Sequence, residues 1–432
     1  MRRPRRFPLA ASLGSAVLAL ALACGEREEA PRAAAPAAQP AAQPSQAAAR
    51  PGATPPDLPA ALMLSLSPFE VSPEGKPLAK PTAARLEILT REGGAWKVEA
   101  ITDPESNVFH KAMPFEDGIL TLAGSQAAIK LWRRTPDGAG WTAETIWVQD
   151  FGGRFSRMRD AEIADVTGDG QPDLAVATHD QGVVAIVTRD PSGAWSVEEI
   201  DREKDTFVHE IEVGDLDGDG VIEVYATPSE PNRLDGTPQP GKVTRYVPAK
   251  GEGRTVVADL GDRHAKEILV ADVDGDGRDE LYVAVEAVSG GQVEIRRYDA
   301  DTEPAGGFAI AELPDTQTRF LTVGDVDGDG KKEMVAAGMK SGLWLLRPSA
   351  EPAGTPWQRS LIDANSGGFE HASILADLDG DGRDELYVAS DAQGEVRRYV
   401  FVDGRWPREV IHTRKPVGSA FTWGIYPLPL PR

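Results

Sequence analysis

Five short segments of this chain carry oxygen-bearing side chains at one fixed spacing: Asp165 to Asp173, Asp215 to Glu223, Asp272 to Glu280, Asp325 to Glu333 and Asp377 to Glu385. Each has aspartate at position 1, aspartate at position 5 (Asp169, Asp219, Asp276, Asp329, Asp381), glycine at position 6 and a carboxylate at position 9. Position 3 is Thr167, Asp217, Asp274, Asp327 or Asp379. Alternate positions of a tight loop converge on one point, and a hard cation such as Ca²⁺ takes six to eight oxygen ligands. Position 7 varies freely (Gln171, Val221, Arg278, Lys331, Arg383), as expected if it offers its backbone carbonyl. About five Ca²⁺ sites are therefore expected. The first should be the weakest, because Thr167 replaces a carboxylate. Acidic turns holding only water are the alternative, and five repetitions of one spacing argue against it. An EF-hand is excluded: it needs a glutamate at position 12 between helices, where the first loop has Val176.

The loops recur about every 50 residues, a period typical of stacked supersecondary units. Short alternating segments flank them, such as His209 to Gly214 before a loop and Glu280 to Ala284 after one, and period-two alternation rich in Val, Ile and Tyr argues for strands. A third strand follows (Gln292 to Tyr298, Glu395 to Tyr399). A fourth is often written Trp-x-x-Glu-x-Ile, beginning at Trp96, Trp141, Trp195 and Trp406. Four short strands per repeat make a propeller blade.

First-plus-second-strand hairpins are placed near 110–124, 159–177, 209–227, 266–284, 319–337, 371–389 and 419–428. Third-plus-fourth hairpins fall near 86–101, 129–146, 183–200, 242–260, 292–313, 343–362 and 395–411. The expected fold is an all-β, seven-bladed propeller over residues 58–432, with six or eight blades as the alternatives. Its loops join first to second strands. The C-terminal hairpin is expected to share a blade with 86–101, which leaves no open sheet edge. The fourth-strand tryptophans are read as packing between blades.

The repeats resemble the FG-GAP/VCBS repeats of integrin α-subunit propellers and many secreted bacterial proteins, over roughly residues 86–428. Val213-Gly214 and Val323-Gly324 stand where that family has phenylalanine-glycine. The resemblance implies calcium in the loops between first and second strands.

Six residues before each first aspartate stand Arg159, His209, Lys266, Arg319 and His371; His110 stands six before Glu116 in a blade without the aspartates. The rule breaks near Ser419. Innermost strands enter from the face opposite the loops, so these residues should ring the mouth of the central channel. A basic ring could take carboxylates, phosphates or uronic acids. Alternatively, its members pair with Asp160, Glu210 and Glu267, one residue later. The long insert between Thr227 and Gly241 lies on the same face.

No nucleophile elbow, zinc-type histidine motif or phosphate-binding loop occurs. The leading expectation is a non-enzymatic binding or adhesion module, monomeric, with a glycan or protein partner at the cell envelope. An enzyme acting on acidic polysaccharide, as in the rhamnogalacturonan lyases that carry similar repeats, and an assembly scaffold are the alternatives. The net charge of −22 speaks against nucleic acid, and much of it is ligand charge.

The N-terminus reads as an address. Arg2, Arg3, Arg5 and Arg6 precede an apolar run from Leu9 to Ala23, too short to span a bilayer. The run ends in Leu20-Ala-Leu-Ala-Cys24-Gly25, which resembles a bacterial lipobox, so residues 1–23 are expected to be a lipoprotein signal peptide. Cys24, the single cysteine, would carry the lipid and anchor the protein to the outer membrane, on its periplasmic or its exterior face. Residues 24–57, rich in Ala, Pro and Gln, read as a disordered tether.

Overall fold

The computed structural model describes residues 57–152, 156–231 and 237–430. The expected signal segment, Cys24 and the tether up to residue 56 lie outside them, as does the middle of the 227–241 insert. Seven antiparallel sheets form the body, and the one helical turn among the described residues is Pro248–Lys250. Six blades are each a run of four consecutive strands. Their innermost strands are Val108–Phe115, Met158–Ala164, Phe207–Gly214, Ala265–Ala271, Thr318–Gly324 and Ser373–Ala376.

The remaining blade closes the ring, and here one detail differs from the sequence expectation. Residues 419–428 do not form a hairpin; Ala420–Pro429 is a single strand. The second strand of that blade is Ala60–Val71, which pairs Leu64 with Ile425 on one side and Met63 with Ile88 on the other. The N-terminal part thus supplies four of this sheet's five strands, the extra one being Pro77–Pro81, paired with the end of Ala60–Val71. Ala61 to Leu66 is buried throughout, because a second strand is covered on both faces by neighbouring blades. A strand buried on both faces shows no alternation. The second strands Asp173–Thr178, Glu280–Val285 and Glu385–Ser390 are likewise wholly buried.

The core lies between blades. One cluster packs Leu120, Leu122 and Ile129 against Met158, Leu174 and Val176 of the next blade. At the outer rim, tryptophans tie successive blades. Trp96 Nε1 donates to Glu409 (3.3 Å), Trp141 Nε1 to Glu99 (2.8 Å) and Trp195 Nε1 to Glu144 (2.9 Å). Each acceptor is on the preceding blade. Arg134 and Arg189 lie over the rings of Trp141 and Trp195, so these tryptophans serve packing.

Candidate metal loops and channel mouth

Each acidic loop is held open by its own backbone. In the third, Asp272 accepts N–H bonds from Gly275 (2.7 Å), Asp276 (3.2 Å) and Gly277 (3.0 Å), while Asp276 accepts one from Arg278 (2.9 Å). Such wrapping requires left-handed backbone at positions 4 and 6, met here by Gly275 (φ +79°) and Gly277 (φ +91°). Oxygens of Asp272, Asp274, Asp276 and Glu280 lie within 4.8 Å of one another. So do those of Asp215, Asp217 and Asp219, of Asp325, Asp327 and Glu333, and of Asp377, Asp379 and Asp381. The first loop forms no such carboxylate group among the described residues. There Thr167 instead donates to Asp173 through Oγ1 (2.9 Å) and N (3.0 Å).

The position-9 carboxylates Glu223, Glu280, Glu333 and Glu385 are buried. Without a cation, burial pushes Glu280 and Glu333 up to about 7 and Glu385 up to about 8. An all-oxygen donor set, converging and short of positive charge, fits Ca²⁺.

A second positive partner was not foreseen. An arginine from the third strand reaches four of the loops. Arg297 lies 2.7 Å from Asp274 and 3.5 Å from Glu280, and Arg398 lies 2.9 Å from Asp379 and 2.8 Å from Glu385. Arg347 holds Asp327 and Glu333, and Arg245 holds Asp217 and Glu223. These arginines stand 13 to 22 residues beyond the ends of their loops in sequence, and only the recurring Arg-Tyr pair at 245–246, 297–298 and 398–399 hints at them.

The loops are also coupled around the ring. Asp279 Oδ2 accepts the N–H of Asp215 on the preceding blade (2.9 Å), and Asp384 Oδ2 accepts that of Asp325 (2.8 Å). Gly214 and Gly324 precede those aspartates and make the approach possible. A Cβ at Gly214 would lie 2.2 Å from Val270 Cγ1 and 2.8 Å from Asp279 Oδ2. Gly214→Ala is therefore expected to cost about 1–3 kcal/mol through overpacking. An unchanged denaturant midpoint would show that the seat is looser than drawn.

At the opposite end, five innermost strands carry a β-bulge where the basic residues stand: Phe109/Lys111, Met158/Asp160 (against Ala177/Thr178), Val208/Ile211, Ala265/Ile268 and Thr318/Leu321. A bulge breaks the alternation and re-aims side chains. Consecutive residues can then both face the axis, as His110 with Lys111, Arg159 with Asp160 and Arg319 with Phe320 do in lining one central cavity.

All six predicted mouth residues are buried. Asp160 and Glu210 do act on Arg159, as the alternative had it, but closer carboxylates come from elsewhere. Glu370, from the connection before the last innermost strand, hydrogen-bonds Arg319 Nη1 and lies 3.8 Å from Arg159 Nη2. Glu286 lies 3.7 Å from Arg319 Nε and accepts from Gln317 (3.0 Å). Despite burial, the neighbouring His264, Lys266 and Arg319 hold Glu286 at about 2. Lys266 Nζ, only 2 % exposed as a residue, has no hydrogen-bond partner, nor do Arg319 Nε and Nη2. Burial pushes Lys266 down to about 7, with Arg319 adding to the effect and Glu286 opposing it.

The histidines behave differently from the cations. Burial, with nearby positive charge, pushes His110 and His209 well below the usual histidine range. His110 Nδ1 donates to Met158 O (2.8 Å), leaving Nε2 as a bare acceptor. His371 must be removed from the predicted ring. It is fully buried, with Nδ1 on Gly338 O and Nε2 on Ser366 Oγ, both at 2.7 Å, and no valence left for a ligand.

Residues 165–226, 272–336 and 325–388 match the FG-GAP-like repeat family. The chain carries FG-GAP-like repeats. The matched stretches contain all five acidic loops. Solved structures of similar fold include a Bacteroides fragilis candidate 6-phosphogluconolactonase (12% identity, TM-score 0.50, covering 86% of this chain and 98% of that one). A Lactobacillus plantarum protein (10%, 0.51, 85% and 99%) and the Dos1 propeller (8%, 0.50, 81% and 88%) are also similar. At these identities the likeness is one of fold. No curated protein matches the sequence. The Val-Gly pairs preceding two FG-GAP-like loops now have a physical role: each glycine seats the aspartate of the following blade.

Proposed function

We propose that the protein is a calcium-binding propeller, lipid-anchored at the cell envelope, that acts as a monomeric non-enzymatic module for an anionic ligand at its channel mouth. The observation that carries the anion site is the set of buried donors without hydrogen-bond partners, Lys266 Nζ with Arg319 Nε and Nη2. A buried donor left without a hydrogen bond is costly, and an anion supplies the missing acceptor. Ca²⁺ would be held by Asp215, Asp217, Asp219 and Glu223 and their counterparts, and more weakly by Asp165, Thr167, Asp169 and Asp173. Its contribution is to neutralise loop charge and fix the blade ends.

The test is binding to acidic glycans with Ca²⁺ and again with chelator. Lys266→Ala and Arg159→Ala are expected to weaken binding at least tenfold with the fold intact by circular dichroism; unchanged binding would remove the mouth as the site. A lyase-like enzyme on acidic glycans keeps one supporting observation, since a lysine near 7 suits a general base. Product analysis of the same incubations separates the two readings.

A further inference from the structure

The channel holds acids as well as bases. One cavity of about 270 Å³ is lined by Arg159 and Arg319 together with Asp160, Glu162, Glu210, Glu212 and Glu267. Lys111 is 2.8 Å from Asp160 and also bonds Glu162, and Arg159 acts on Glu210 and Glu267. Glu267 accepts the N–H of Leu321 (2.6 Å). Burial and mutual repulsion hold Glu210, Glu212 and Glu267 well above the carboxylate range, the mark of too little positive charge.

Two further polar atoms in the cavity wall have no partner: His110 Nε2 and Ser373 Oγ, on residues only 2 % and 3 % exposed. Among the described residues, the acidic groups close enough to share one metal ion are all in the outer loops. The channel carboxylates form no such group, which favours an organic cation over a metal ion.

We propose that this cavity binds a small zwitterion, a carboxylic acid bearing an amine, with its carboxylate toward Arg159 and Arg319 and its ammonium among Glu210, Glu212 and Glu267. This deepens, and rests on, the anion-binding reading of the rim. The volume sits just under the ~300–1,000 Å³ of small-molecule pockets, which suits a compact ligand. Along the innermost strands Glu210 and Glu267 stand one residue, and Glu212 three residues, beyond the ring positions, a span of about 3–10 Å at ~3.3 Å per residue. That span admits an amine and a carboxylate separated by up to several carbons. His110 Nε2 and Ser373 Oγ provide an acceptor and a hydroxyl for the ligand's remaining polar atoms.

The experiment is calorimetric titration of the calcium-loaded protein with γ-aminobutyrate, butyrate and n-butylamine. γ-Aminobutyrate should bind at least tenfold tighter than either half. Glu212→Gln and, as an independent variant, Glu210→Gln should remove that advantage while leaving butyrate binding unchanged. If butyrate binds as tightly as γ-aminobutyrate, the zwitterion is wrong and the anionic rim stands. If butylamine binds and butyrate does not, the rim reading fails and the zwitterion with it. If none of the three binds, the zwitterion is rejected, and acidic-glycan binding decides the rim separately.

Discussion

Removing divalent cations should lower the unfolding free energy by about 3–9 kcal/mol. At about 2 mM free Ca²⁺ and dissociation constants of roughly 10⁻⁴–10⁻³ M, typical of extracellular modules, each loop gains about 0.7–1.8 kcal/mol by mass action, and there are five loops. The mechanism is visible in the donor sets: carboxylates within 4.8 Å of each other, with buried position-9 glutamates driven up by desolvation. Arg245, Arg297, Arg347 and Arg398 offset part of that charge without metal. They move the expectation toward the lower end and should keep the metal-free ring folded near room temperature. Thermal unfolding in Ca²⁺ and in chelator is the measurement, with Mg²⁺ as the control for ionic strength. Identical melting curves would rule out calcium-coupled stability. Asp272→Ala, which removes the acceptor for three loop N–H groups, should lower both stability and the number of bound ions.

What could be read from the sequence, and what could not, divides by sequence distance. The acidic loops were legible because their ligands and turn glycines lie within nine residues, so spacing alone implies convergence. The strand pattern was legible where one face of a strand meets solvent. It failed at Ala60–Val71, whose Ala61–Ser67 segment is buried on both faces and which abuts a low-complexity stretch. The arginine counter-ions were hidden because third strand and loop meet only through the sheet. The basic ring was found by counting, but its neutralisation was not: Glu370 and Glu286 come from connections whose path no periodicity encodes. Nor did alternation anticipate the bulges, which let Arg159 and Asp160 both line the channel. His371 obeyed the spacing rule and still is no ligand. Its blade shows no bulge in the register of its innermost strand, and the ring binds backbone and serine instead.

Glu370→Gln is expected to make the protein's stability depend on added carboxylate. In the native chain Glu370 is a buried anion bonded to Arg319 and facing Arg159, and it is fixed from behind by Phe369. Phe369 stacks on Phe421 at 5.5 Å and underlies the Arg319 guanidinium at 4.4 Å. The side chain thus occupies the position an external anion would take. Removing its charge leaves Arg319 and Lys266 facing Glu286, and Arg159 facing Glu210 and Asp160. Breaking a buried pair by removing one partner typically costs 3–5 kcal/mol. The amide oxygen of glutamine can still accept one hydrogen bond, so about 3 kcal/mol is expected here. A small carboxylate able to enter the rim would restore the missing charge. The melting temperature of the variant should therefore climb with acetate at constant ionic strength, while that of the wild type, already holding its own carboxylate, should stay nearly level. Equal responses would mean that Glu370 does not stand in an anion site. Acetate rescue confined to the variant would mean that natural ligands must displace Glu370, so that the connection carrying it sets the affinity of the mouth.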